Sequence, residues 1–220
     1  TYIADPPVGY SKENVIKWHN GKLVRTTAIT SKFAEVYSPW CKVYDSTSSS
    51  YVWVMPSVLM AAKFVAVDKA YGSWYAPAGE TNGILSSVLD VENKYKREDR
   101  DALYVDYNRI NPIIEYSNGN IMVYGEKTCQ RKNTVLTKIH TVRMVIELKR
   151  KLQASLRGFI FQPNIQGSLS KIQSTISAIM EKYKSGGGLD SYTVVCDSSN
   201  NTTETMQQDI VNVDVACVPN

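Results

Sequence analysis

Residues 134–157 read TVLTKIHTVRMVIELKRKLQASLR, and their apolar side chains recur every three or four positions. That spacing places the side chains on one face of an α-helix, so the segment predicts a long amphipathic helix. Lys149 falls inside this stripe, and its ammonium must reach solvent or a partner because an unpaired buried charge is costly. The stripe consists of Val135, Ile139, Val142, Val145, Ile146, Leu152 and Leu156.

A second amphipathic helix is predicted for residues 168–184, after Pro163 and Gly167 and before the glycines at 186–188. The side chains on its opposite face are polar or small, so another surface could approach this face closely. A face of this kind is more often simply exposed to solvent. The predicted buried stripe is Leu169, Ile172, Ile176, Ile179, Met180 and Tyr183, and the opposite face is Lys171, Ser174, Thr175, Ala178 and Lys182.

The N-terminal half alternates short helices and strands. Helices are predicted for residues 13–20, 58–71 and 98–103, where capping or stop signals flank the pattern. Aromatic and β-branched side chains predict strands at 34–37 and 51–55. Asn111-Pro112 is expected to break the chain before a strand at 113–116, and Asn118-Gly119 then predicts a tight hairpin turn into the strand around Ile121 and Val123.

A last strand is predicted after residues 192–196, at 210–218. Ile210, Asn212, Asp214 and Ala216 alternate there with Val211, Val213, Val215 and Cys217, as in a half-buried strand. The sequence therefore predicts an α/β (α+β) fold. It comprises a mixed sheet packed by two long amphipathic helices and shorter helices, with an incomplete sheet edge at the last strand.

The charge of the chain is unevenly distributed. The net charge is +4, yet residues 127–157 carry nine Lys or Arg against one acid, Glu147. A basic stretch in an otherwise acidic chain indicates self-association or an acidic partner, or else a solvated helix face. A basic nucleic-acid-binding module is an alternative, but the motifs of such modules are absent from the sequence.

The residues do not predict an enzyme or a cofactor. Residues 119–128, GNIMVYGEKT, approach a phosphate loop, but Glu126 would repel the ligand. His140 has no acid or nucleophile at a supporting spacing, and the four cysteines and two histidines lack paired metal-ligand spacing. We expect four reduced, mostly buried thiols. No apolar stretch reaches the roughly 18 residues that span a membrane.

Several segments together resemble the contractile tail sheath proteins of bacteriophages. SKFAEVYSPW at 31–40 resembles the family's stretch that ends in Pro-Trp, and VWVMPS at 52–57 resembles its strand before a Pro-Ser helix start. GSWYAP at 72–77, INPI at 110–113 and VYGEKT at 123–128 follow in family order. Each motif is weak alone, whereas the ordered set is fairly specific.

The resemblance continues to residue 218 through Val142-Arg143, FIFQPN at 159–164 and VVCD at 194–197. It departs from the family at 58–62, where VLMAA replaces Gly-His-Val-Ala-Gly, and at 74–76, where the usual Lys is absent. The family continues past the position of Asn220 into one more strand and a terminal arm. The arm-mediated linkage is therefore in doubt for this chain.

What the resemblance implies is a structural subunit. It implies an N-terminal segment at 1–56 and a sheath-like C-terminal assembly domain at 57–220, truncated before the arm. It implies polymerisation around a tail tube, contact with the baseplate, and contraction that drives the tube through the host envelope. The expected location is the virion tail, after synthesis in the host cytoplasm, and the sheath of a tailocin-like injection device is the alternative.

No direct binding to nucleic acid or membrane is expected of such a subunit, and this chain alone is expected to be monomeric in solution. The candidate interface residues join the basic helix positions to one face of the last strand. They are Lys149, Arg150, Lys151, Lys171, Lys182, Ile210, Asn212, Asp214 and Ala216.

Overall fold

The computed structural model describes residues 1–162 and 165–220. Pro163 and Asn164, which close the FIFQPN motif, lie outside the described residues. The strands are β1 (Tyr2–Ala4), β2 (Ala34–Ser38), β3 (Cys41–Asp45), β4 (Ser50–Val54), β5 (Val88–Val91), β6 (Asn111–Glu115), β7 (Ile121–Val123), β8 (Leu189–Val195) and β9 (Asp214–Pro219). The helices are α1 (Lys12–His19), α2 (Pro56–Ala70), α3 (Gly79–Asn82), α4 (Arg97–Tyr104), α5 (Ile139–Leu156), α6 (Gln166–Ser185) and α7 (Thr203–Gln207).

The described chain divides into two compact units, residues 1–143 and residues 144–220. The division falls within α5. The predicted boundary between residues 56 and 57 lies inside the first unit, where β3 and β5 pair across it. The extent of the family's assembly domain therefore stays a prediction.

The first unit contains two sheets. One has the order β1-β2-β6-β7, with parallel pairs β1–β2 and β2–β6 and an antiparallel pair β6–β7. The other, of order β4-β3-β5, is antiparallel. The predicted α+β class with mixed pairing is confirmed, although the described strands form three separate sheets instead of one.

Strand β2 is buried on both faces, and the two faces belong to different apolar clusters. Tyr37 joins Met60 and Phe64 of α2 in one cluster. Val36 packs in the other with Trp18 of α1 and Leu103 of α4. A strand covered on both sides reads as a continuous apolar run, as residues 34–37 nearly do, because both faces exclude water.

Glu35 is the polar exception in this strand. It is buried, and it accepts a hydrogen bond from the Tyr37 hydroxyl at 3.0 Å. Burial raises the pKa of the Glu35 carboxyl, while its hydrogen bonds act in the opposite direction.

In the second unit, α6 packs against β8, which pairs with β9 in the antiparallel direction. Leu169, Ile172, Ile176, Met180 and Tyr183 are its buried residues, which confirms the predicted stripe except at the half-buried Ile179. The side chain of Gln173 donates to the carbonyl of Val194 in β8 at 3.1 Å. Gly186 follows the last helical residue, as the glycine run predicts.

The first long helix starts later than its periodicity predicts. Val135–Thr137 form a 3₁₀ turn, Lys138 is extended, and α5 begins at Ile139. The cause lies outside the helix, in the segment before it. The Thr128 N–H donates to the Thr137 carbonyl at 2.7 Å, and the backbones of Lys127 and Lys138 form an antiparallel β-bridge. The predicted stripe is wrong at its first residue, Val135, which is exposed, and it omits Met144 and Leu148, which are buried in the middle of the helix.

Two further predictions are corrected. Asn111 and Pro112 do not break the chain but begin β6, where the Asn111 side chain donates to the carbonyls of Val36 and Lys127. The last strand begins at Asp214 instead of residue 210. The side chain of Asn201 already bonds both the N–H and the carbonyl of Asn212, at 2.6 and 2.9 Å, so that backbone is not available to a sheet.

Candidate interaction surfaces

The predicted basic residues of α5 lie at exposed positions. Lys149 and Arg150 are exposed, so Lys149 reaches solvent, as the cost of burying its charge in the apolar stripe predicts. Lys151 pairs with Glu147 one turn earlier and lies 5.1 Å from the centre of the Tyr183 ring on α6. Burial acts to lower the pKa of Lys151, but hydrogen bonds to Glu147 and Tyr183 outweigh it and raise the pKa.

The basic residues of α6 lie on its outer face. Lys171 and Lys182 are exposed, as are Ser174 and Ala178 between them. The hydroxyls of Ser174 and Thr175 donate to the carbonyls one turn earlier, both at 2.8 Å. Their hydrogen bonds are thus satisfied within the helix, and the face presents a shallow surface between two lysines.

The positive charge of residues 127–157 is partly neutralised inside the first unit. Lys127 pairs with Asp106 at 2.9 Å, and Arg143 pairs with Asp68. Arg143 also lies 4.1 Å from the centre of the Phe64 ring. These cations anchor the polypeptide instead of forming one exposed stripe, which weakens the case for a nucleic-acid surface.

Strand β9 presents an open edge. It pairs with β8, and in the part of the chain that the structure describes no strand pairs with its other side. Asp214 and Ala216 are exposed and alternate with half-buried Val215 and Cys217, as predicted. Ile210 and Asn212 precede the strand, so two of the four predicted strand-face residues do not belong to it.

The phosphate-loop-like segment has a structural explanation. A Cβ at Gly125 would lie 2.9 Å from the Asn111 amide oxygen, so this glycine permits close packing. Glu126 contacts His140 Nδ1 at the start of α5, a partner that sequence spacing did not reveal. Among residues 1–162 and 165–220, no three His, Cys, Asp or Glu side chains converge as metal ligands.

The β4-β3-β5 sheet has an aromatic face that was not predicted. Tyr44, Tyr51 and Trp53 are exposed on one side, and the Lys42 ammonium lies 5.6 Å from the ring centres of both Tyr51 and Trp53. The alternation in residues 50–54 contains the signal, because aromatic residues occupy the solvent side of a half-buried strand.

None of the described helices is both long and apolar enough to span a bilayer.

Comparison with known sequences finds relatives of one kind. The chain is 24% identical over 206 residues to the tail sheath protein of Vibrio phage KVP40, and 25% identical over 199 residues to that of Enterobacteria phage T4. The alignments cover 90% and 89% of this chain but 30% of each relative. The chain thus spans about a third of the length of these relatives. No family model matches it.

Comparison with solved structures finds the same architecture. The sheath of an extracellular contractile injection system, PVC, in its contracted state superposes with a TM-score of 0.84 at 23% identity, covering 99% of this chain and 60% of that one. The contracted helical sheath of the anti-feeding prophage gives 0.76 at 22% identity, covering 99% and 57%. The chain is therefore homologous to phage tail sheath proteins over about nine tenths of its length and has the fold of contractile sheath subunits.

Proposed function

We propose that this chain is the assembly-bearing part of a contractile sheath subunit. In this role it polymerises with other copies around a tail tube, contacts the baseplate, and shortens to drive the tube through a host envelope. The observation that carries the proposal is the match over 89–90% of the chain to proteins named tail sheath protein. The role is structural and non-catalytic, and the location is the virion tail.

The open edge of β9 supports assembly by strand addition. An edge strand presents a row of N–H and C=O groups that a strand from a neighbouring subunit can pair. The alternation of Asp214 and Ala216 with Val215 and Cys217 gives an added strand one polar and one apolar face to match. We assign Asp214 and Ala216 to this contact and place Ile210 and Asn212 at its N-terminal end.

The exposed cations of α5 and α6 support contact with an acidic tube or neighbour. Lys149, Arg150, Lys171 and Lys182 have no ion-pair partner among the described residues. Exposed charges add little to stability but steer association and fix register. We therefore assign these four residues and Lys151 to the partner-facing surface.

Charge reversal tests this surface. The variant Lys149→Glu/Arg150→Glu is made in the longer protein, meaning a sheath subunit of its relatives' length that contains this chain. It is expected to reduce the amount of sheath that sediments with tubes by roughly tenfold at low salt. Lys132→Glu/Lys138→Glu is the matched control, because both residues are exposed and lie in the same basic segment. Equal co-sedimentation of both variants and wild type would remove α5 from the interface.

A second candidate is the sheath of a bacterial contractile injection device. The superposition with the PVC sheath, with a TM-score of 0.84, supports it. Purified particles discriminate between the two, because a phage tail is attached to a DNA-filled capsid and an injection device is not.

The chain alone is proposed to be monomeric at micromolar concentration, since an added strand is needed to complete the β9 edge. Sedimentation velocity tests this proposal. A stable oligomer at micromolar concentration would show that contacts other than an added strand suffice.

A further inference from the structure

A groove lies between α4 and the β6–β7 hairpin, remote in sequence from the surfaces assigned above. Its volume is about 400 Å³. Arg97, Arg100 and Tyr104 lie on one face of α4 at helical spacing and form one wall. Tyr116 and Tyr124, which follow the two strands of the hairpin, lie on the other wall.

The two arginines of the groove have no carboxylate partner among the described residues. The guanidinium carbon of Arg100 lies 5.2 Å from the centre of the Tyr124 ring. A guanidinium held over a ring keeps its in-plane N–H donors free, and its planar fork matches a carboxylate. Asp101 is the one acidic residue of the lining, so the groove remains net positive.

Two of the tyrosines that line the groove have charged neighbours. The neighbouring Glu80 carboxylate raises the pKa of the Tyr116 hydroxyl. The Lys127 ammonium lies 4.2 Å from the centre of the Tyr104 ring and is paired with Asp106. Arg and Tyr are among the residue types enriched at the centres of protein interfaces, where a rigid aromatic ring and a directional cation act together.

The charge distribution of the chain identifies an occupant. Residues 185–220 contain five acids and no Lys or Arg. Two of these acids, Glu204 on α7 and Asp209, are exposed, and no ion pair within the described residues involves either. The acidic stretch of one copy therefore complements the basic groove of another.

We propose that the Arg97/Arg100 groove docks the acidic segment around α7 and Asp209 of a second copy of this chain. The proposal rests on the assembly function proposed above and names one contact within it. Two exposed charge pairs are too weak to hold a stable assembly by themselves. For this contact alone we expect a dissociation constant of about 1 mM. The contact is thus compatible with a monomer at micromolar concentration.

Sedimentation equilibrium of the 220-residue chain at about 0.1–1 mM tests the proposal. Arg97→Glu/Arg100→Glu is expected to weaken self-association about tenfold. The matched control, Lys32→Glu/Lys69→Glu, makes the same change in net charge away from the groove and is expected to leave self-association within about twofold. Arg97→Gln/Arg100→Gln removes the cations without reversal, and circular dichroism checks the fold of each variant.

A mixture of two variants with complementary changes in charge provides a second test. Glu204→Lys/Asp209→Asn, in which Asn tolerates the positive φ of 55° at that position, is expected to associate with Arg97→Glu/Arg100→Glu more tightly than either variant does with itself. Absence of this rescue, equal loss in the control, or no self-association of the wild type would overturn the proposal. So would binding of inorganic phosphate at the groove without an effect on self-association.

The longer protein separates this inference from the proposed function. Tubes formed by wild type and by Arg97→Glu/Arg100→Glu in equal amount would overturn the groove contact and leave the sheath function intact. Tubes that form in wild type and are reduced in the variant would support both. Failure of the wild-type protein to form tubes would count against the sheath function itself.

Discussion

His19 illustrates how one buried side chain couples the fold to pH. It lies at the end of α1, is 2% exposed, and its Nδ1 has no hydrogen-bond partner among the described atoms. Burial lowers the pKa of His19 from 6.5 to about 4, and the charges of Arg131 and Arg25 add to the effect. The folded chain therefore holds this imidazole neutral where the unfolded chain would protonate it.

The expected result is a loss of stability as the pH falls. Below 6.5 the unfolded state binds a proton that the folded state refuses until about pH 4, so His19 removes up to about 3 kcal/mol between pH 7 and pH 4. Urea unfolding across this range measures it. His19→Phe is expected to abolish that component of the pH dependence.

The comparison of wild type with His19→Phe isolates the histidine. Glu35 acts with the opposite sign, because its raised pKa gives a contribution that is present at low pH and is lost as the pH rises. Glu35 is common to both proteins and cancels in the difference. A difference in unfolding free energy that stays constant from pH 7 to pH 4 would show that His19 titrates normally.

Single residues were the least predictable part of the fold. Arg109 is 1% exposed, and its guanidinium donates to the carbonyl of Gln130 and to the hydroxyl of Thr137. Its sequence neighbourhood resembles that of any loop arginine, and the partners that bury it lie 21 and 28 positions away. Lys149 was more predictable, because the cost of burying its charge in the apolar stripe predicts that it reaches solvent, and it is exposed.

At the scale of elements, the hairpin turn at Asn118-Gly119 was predicted from local chemistry and is confirmed. Strands β6 and β7 pair across it, and Gly119 has a φ of 81°, which disfavours any side chain with a Cβ. Gly119→Ala is therefore expected to cost about 1 kcal/mol of unfolding free energy, measured by urea denaturation.

Gly158→Ala is the control for this substitution. Gly158 lies in a 3₁₀ turn without a positive φ, and a Cβ there meets no atom within 4 Å. Its effect is expected to stay within about 0.5 kcal/mol. Equal losses for the two variants would mean that the backbone conformation of the turn is not what Gly119 provides.

Elements were predictable where their causes were local. The periodicity and glycine stop of α6 predicted residues 168–184, and the helix spans Gln166–Ser185. The start of α5 and the start of β9 were wrong because distant groups compete for the backbone, Thr128 in the first case and Asn201 in the second. Periodicity contains no information on such partners.

For the whole molecule, the ordered motifs predicted the family resemblance that the comparisons bear out. The resemblance rests on many weak segments in a fixed order, and the relatives that it points to are 22–25% identical to this chain. The order of the motifs does not identify the contact surfaces of the subunit. The groove at Arg97 and Arg100 reads in sequence as a solvated mixed-charge run, and only folding brings Tyr116 and Tyr124 opposite it.

The central claim is that this fold assembles into a sheath by adding strands to the β9 edge. Electron cryomicroscopy of tubes formed by the longer protein tests it most directly. The predicted result is a helical tube in which a strand from a neighbouring subunit is hydrogen-bonded along residues 214–219. Tubes in which that edge faces solvent, or a longer protein that forms no tubes, would contradict the claim.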